Sequence, residues 1–194
     1  MLKNPLCAVR EPEPYRFTVE EWHKLGEAGI FAEDDRVELL DGEIILMSPI
    51  GSRHAAAMAN LTEVMVEKSR RRYLVAPGNP VEADRHSEPV PDLMLLPRSC
   101  HNARRHPLTK DIHLIIEIAD SSLGHDRRRK LKKYARTGAP EYWIVNLRQD
   151  VIEVYRGPHE DTYLEQLTFA AGQKVNPQAF PDVEVAVDEI IPPR

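Results

Sequence analysis

The chain has 194 residues, 42% apolar and 29% charged, which suits one globular domain with a sizeable core. Its formal charge of −5 argues against a broadly basic nucleic-acid binder, but leaves room for a local basic surface. No apolar run approaches the ~20 residues of a membrane-crossing helix. The start MLKNPLCAVREPEPYRF lacks the apolar stretch of a leader, and Cys7 and Cys100 form no ligand or disulfide pattern, so no membrane association and a cytoplasmic location are expected.

Residues 1–14 hold Pro5, Pro12 and Pro14 without periodicity and read as a flexible arm before a single domain over residues 15–194. Thr18 and Glu21 have the spacing of a capping box, so a short helix starts there, with Trp22 and Leu25 on one face. Arg36–Leu40 and Glu43–Met47 flank Asp41-Gly42, a hairpin signal because glycine tolerates positive φ. From Arg53 to about Arg72, Ala57, Leu61, Val64 and Met65 make one helical stripe. Strands are expected at Tyr73–Ala76, Val81–Ala83, Asp92–Leu96 and Ile112–Ala119, the last almost continuously apolar, as in a strand buried on both faces. A second strong helix runs from Asp126, placed as N-cap, to Thr137, with Gly138 beyond its end. Glu141–Asn146, Val151–Arg156 and Tyr163–Phe169 read as further strands, and Val183, Val185 and Val187 alternate in the tail. This order predicts an α/β fold with a mixed central sheet flanked by helices.

Three residues carry the chemistry. Asp92, in VPDLMLL, stands at the entry of an apolar strand, and Glu117, in LIIEIAD, lies deep in the most apolar one. An ionised carboxylate there is costly to desolvate unless it is paired or bound to metal. Two such groups on neighbouring strands can hold a divalent cation, which can polarise a phosphodiester and activate water. Lys130, early in the next helix, can orient that water or stabilise developing charge, and Tyr134 lies one turn further along the same face. A buried Glu117–Lys130 pair that only braces helix against strand is the competing reading. Glu38 is a candidate extra ligand or base, or else an outward strand residue; Glu43 is placed beside the turn, facing solvent. His54 can touch phosphate or water at a cleft, or be a helix-start residue bonded to a backbone carbonyl; Tyr134 fits core packing with its hydroxyl tethered to the site. The basic runs Arg70-Arg71-Arg72, Arg104-Arg105 and Arg127 to Lys133 read as solvated faces or phosphate contacts. No nucleophile elbow, P-loop or dinucleotide fingerprint occurs, and the eight histidines are too scattered in sequence to spell a zinc site.

The segments YRFTVEEWHKL, RVELLDGEIILMSP, SRHAAAMANL, PDLMLL, LIIEIADSS, DRRRKLKKYARTGAPEYWIVN and VIEVYR, in this order, resemble the Uma family of restriction-endonuclease-like proteins from Tyr15 to about Phe180. The resemblance implies a PD-(D/E)XK nuclease core with an N-terminal hairpin and a Mg²⁺-dependent endonuclease, Mn²⁺ being the other candidate ion. Carried over residue by residue, it makes Asp92 the motif aspartate and Glu117 the motif glutamate, both metal ligands. The general pattern's lysine two positions on is Ala119 here, and the implied replacement is Lys130. The family's Pro-Ser after the glutamate strand is Ser121-Ser122, a change expected to alter only a turn. The expected substrate is DNA, cut by direct hydrolysis, and the expected assembly a homodimer with one site per strand. A scaffold of the same fold that binds nucleic acid or protein without cutting is the alternative.

Overall fold

The computed structural model describes residues 13–194 except Glu33 and Asn102, so most of the expected arm lies outside it. Helix α1 (Val19–Glu27) is entered through the expected capping box: Thr18 accepts from the Glu21 amide, and the Glu21 carboxylate accepts from the Thr18 amide. Strands β1 (Val37–Leu40) and β2 (Glu43–Leu46) pair antiparallel as a two-stranded sheet of their own. Their turn holds Asp41 and Gly42 at φ 54° and 74°, the left-handed pair that a two-residue hairpin of this twist needs. Gly42 is close to obligatory, because a Cβ there would stand 2.7 Å from the Arg16 Cβ.

Helix α2 (Ser52–Ser69) buries Ala57, Leu61 and Met65 of the predicted stripe and half-buries Val64, each fully buried large side chain contributing roughly 1.5–3 kcal/mol. The main sheet has six strands in the order β3 (Tyr73–Pro77), β4 (Leu93–Pro97), β5 (Leu114–Ala119), β6 (Glu141–Asn146), β7 (Val151–His159) and β8 (Thr162–Ala170). Only β5 and β6 run parallel; the other neighbours are antiparallel, so the sheet is mixed as expected. The helix joining β5 to β6, here α3, has three consecutive pieces: Leu123–His125, a π-helical Asp126–Lys130, and Leu131–Arg136. A two-stranded pair, β9 (Lys174–Val175) with β10 (Val185–Ala186), and a last helix, α4 (Val187–Ile190), close the chain.

The sheet separates two apolar layers. On one face Leu93, Leu95, Ile116, Ile118, Trp143 and Val145 pack with α2 and the valines of the tail. On the other, Met94, Leu96, Ile115, Ala119, Tyr142 and Ile144 pack with Tyr134 and Ala135 of α3. Glu117 shares the face of Ile115 and Ala119, so the two-residue period of the strand turns it toward α3.

Three expectations need correction. Val81–Ala83 is not a strand: Glu82 makes one isolated bridge to Leu108 and Asp84 another to Ser87, since Pro80 and the prolines at 89 and 91 limit the segment to single contacts. Asp126 does not cap its helix, because helical backbone already begins at Leu123; its side chain instead accepts from the Ser122 hydroxyl at 2.7 Å. The run from Arg127 to Lys133 is not mainly a solvated face. Arg127 pairs with Glu153, Arg129 with Glu43, and Lys133 with Asp41 and Asp84, which fastens α3 to β7 and to the hairpin.

Candidate active site

A cleft of about 520 Å³ opens between the hairpin, the start of α2, the ends of β4 and β5, and the front of α3. Glu38, His54, Asp92, Glu117, Asp126 and Lys130 all line it. The convergence follows from register. Leu93 lies opposite Ile116, and one step further along the antiparallel pair brings Asp92 alongside Glu117. The crossover from β5 into α3 then folds Lys130 back over the strand it has just left.

Lys130 is the hub. Its Nζ donates to Glu117 Oε1 at 2.9 Å and stands 3.1 Å from Glu38 Oε2. Burial alone would push the ammonium down, but Glu117, Glu38 and Asp126 outweigh it and raise its pKa, so Lys130 stays charged. Tyr134, one turn on, donates its hydroxyl to the same Glu117 Oε1 at 3.0 Å. With both donors on Oε1, Glu117 Oε2 has no hydrogen-bond partner among the described residues. Burial drives Glu117 well above the usual carboxylate range; Lys130 opposes this, while Asp126, Asp92 and Glu38 add to it.

Asp92 is held from two sides. Its Oδ2 accepts from the Ile118 amide at 2.7 Å, and its Oδ1 lies 3.0 Å from His54 Nε2. His54 thus lines the cleft and orients Asp92. Glu38 is not an outward strand residue. It is buried, and its Oε2 also accepts from the Val90 amide at 3.0 Å. Glu43 stays partly exposed beside the turn, paired with Arg16 and Arg129.

Two cleft residues escaped the sequence reading. Asp126 is buried there, with its carboxyl pushed up to about 6, first by burial and then by Asp92 and Glu38, against the pull of Lys130 and Ser122. His125 lines the cleft with a buried Nε2 that has no hydrogen-bond partner among the described residues and stands 3.9 Å from Glu38 Oε1; burial followed by the charge of Lys130 lowers its pKa. The available signal was the position of Asp126 one turn before Lys130, which a cap assignment obscured.

Four carboxylates therefore face one buried ammonium, and this excess of negative charge suits a divalent cation. The donors that could hold it are Asp92 and the free Oε2 of Glu117. Among the described residues the cleft acids do not bring three ligand atoms within 4.8 Å of one another, so an ion held there would need water or phosphate to complete its shell. Arg36 and Arg128 stand at the rim, beside the exposed Leu46 and Ile50.

Among solved structures, a protein of Anabaena variabilis ATCC 29413 described as a "putative nuclease belonging to DUF820" matches with a TM-score of 0.71 at 16% identity, over 90% of this chain and 97% of that one. The type IIG restriction endonuclease BpuSI matches at a TM-score of 0.37 and 18% identity, over 58% of this chain and 13% of that one, too weak a likeness to carry an argument. No curated protein matches. The sequence matches the model of the Uma2 family, described as "Putative restriction endonuclease", over residues 19–188. With this match along most of its length the chain belongs to the Uma2 family, and it shares the fold of the Anabaena protein.

Proposed function

We propose that this cleft hydrolyses phosphodiester bonds in DNA as an endonuclease with Mg²⁺ or Mn²⁺ as its ion. The observation that carries the reading is the gathering of Glu38, Asp92, Glu117 and Asp126 in one cleft with the buried ammonium of Lys130. When bound, a divalent ion supplies Lewis acidity toward the phosphate and lowers the pKa of attacking water.

The residues divide the remaining work. Asp92 and Glu117 hold the ion, Asp92 oriented by His54 and the Ile118 amide, Glu117 by Lys130 and Tyr134. Lys130 presents positive charge where the phosphoryl oxygens gain negative charge, in a site shielded from water where such an interaction is strongest. Glu38 positions Lys130 from the hairpin side. Arg36 and Arg128 offer donors to flanking phosphates at the rim. The reading includes a homodimer, since cutting both strands of a duplex calls for two sites related by symmetry.

A non-cutting scaffold is the second reading, favoured by one observation: Lys130 and Glu117 are only 3% and 4% exposed, as a bracing ion pair would be. Incubating supercoiled plasmid and single-stranded DNA with wild-type protein and Asp92→Ala, in Mg²⁺ or EDTA, separates the two. The endonuclease nicks or linearises plasmid only with metal and only with Asp92 present. An inert wild type, or a mutant that cuts as well, defeats the assignment.

A further inference from the structure

On the far side of β1 from the cleft, three side chains distant in sequence meet. His23 Nε2 of α1 lies 2.9 and 3.0 Å from the two carboxylate oxygens of Glu88. The ring of His106 stands edge-on to His23 with centroids 6.2 Å apart, and ligand atoms of all three residues lie within 4.8 Å of one another. None of the three lines the cleft.

Glu88 makes the arrangement chemically unusual. Its side chain is 5% exposed, and among the described residues no lysine or arginine pairs with it. Both of its oxygens lie around one imidazole nitrogen, and a single shared N–H leaves this buried carboxylate with acceptor capacity that an ion can use. Each ligand is also delivered by a pinned segment. The Val19 amide donates to the Arg85 carbonyl at the start of α1. The Glu88 amide donates to the Leu39 carbonyl of β1, and the Glu82 amide donates to the Pro107 carbonyl beside His106. A hollow of about 590 Å³, walled by Trp22, His23, Phe31 and His106, gives access from solvent.

We propose that His23, Glu88 and His106 form a second metal site, independent of the nuclease reading, that takes a borderline-soft divalent ion such as Zn²⁺ with water in its open position. Two imidazoles and one carboxylate suit Zn²⁺ and Co²⁺ rather than Mg²⁺, which prefers oxygen. Bonds of about 2.0–2.2 Å to one ion at tetrahedral angles put ligand atoms roughly 3.3 Å apart, within reach of small side-chain rotations. The bound ion cross-links α1, the Glu88 segment and the His106 loop behind the strand that carries Glu38. The histidine spacing concealed this site, because its ligands are assembled only by the tertiary fold.

His106 decides the matter, because a plain His23–Glu88 ion pair does not need it and its exposure makes substitution harmless to folding. Full-length protein titrated with Co²⁺ should bind one equivalent with the visible absorption of a low-coordinate nitrogen-containing site. Zn²⁺ should displace the Co²⁺ and raise the thermal midpoint. His106→Ala and, as a second variant, His23→Gln should lose the absorption and weaken Zn²⁺ binding at least ~10-fold, on the scale expected for disturbing a metal shell. Absence of a stoichiometric Co²⁺ spectrum, or a spectrum and Zn²⁺ affinity unchanged in His106→Ala, overturns the site whatever the plasmid assay gives.

Discussion

Glu117 shows how much of this protein's chemistry is set by one desolvated charge. Its partner Lys130 neutralises two buried acids at once, so Lys130→Met should both silence cleavage and destabilise the fold. The loss should be about 3–5 kcal/mol at pH 8, the cost of leaving buried carboxylates unpaired, and urea unfolding measures it. The loss should shrink as pH falls, because burial makes Glu117 take up a proton more readily than an ordinary carboxylate. Asp126 gives a prediction of opposite sign. Its folded pKa, about 6, lies above the ordinary aspartate value of 3.8, so the folded state holds the proton more tightly. The stability this supplies is complete below pH ~4 and is lost as pH rises through about 6. Asp126→Asn, unable to ionise, should therefore exceed wild type by roughly 2–3 kcal/mol at pH 8 without metal, and the gap should close near pH 4. Equal pH profiles for the two proteins would refute it. At this scale Asp92, Glu117 and Lys130 were legible because charges embedded in VPDLMLL and LIIEIAD demand a reason. Asp126 was not, since an aspartate followed by basic residues looks like a helix start and nothing local shows that helical backbone begins three residues earlier.

The hairpin, α1 and α2 were readable because their signals are local: a DG turn, a capping box and a four-residue apolar stripe. The π segment and the single bridges around Glu82 were not, because they answer to packing rather than to propensity. Gly42 tests how far the hairpin matters to the site. Gly42→Ala forces an unfavourable φ and drives a Cβ into Arg16, so it should cost more than about 1 kcal/mol. It should also lower the cleavage rate, because the turn sets the strand that carries Glu38. A thermal melt and a plasmid time course check both, and a mutant with normal melting and normal rate would sever the link between turn and site.

The molecule as a whole carries net negative charge, and the basic residues of α3 are partly committed to internal partners. The cleft itself offers little positive charge to a phosphate backbone: Arg36, Arg128 and Lys130 are the lysines and arginines that line it. Binding of Asp92→Ala to duplex DNA, followed by anisotropy across a salt series, should therefore give a shallow log–log slope of about −2 to −3, near −0.9 per phosphate contact. A slope steeper than about −5 would mean that another surface holds the DNA. The mixed sheet and its two-layer core follow from strand composition, whereas the strand order and the pairing of Glu38 with Lys130 depend on contacts between segments far apart in the chain.

One further consequence comes from the β1–β2 hairpin, which is hydrogen-bonded outside the six-stranded sheet and meets the rest of the protein mainly through residues 86–90 and the cations of α3. Such an appendage behaves as a cassette. Homologous chains could exchange it whole, altering the lip of the cleft while the six strands beneath go untouched. Chimeras spliced near positions 36 and 48 would then report which DNA features the lip senses, provided the incoming piece keeps a glutamate facing Lys130.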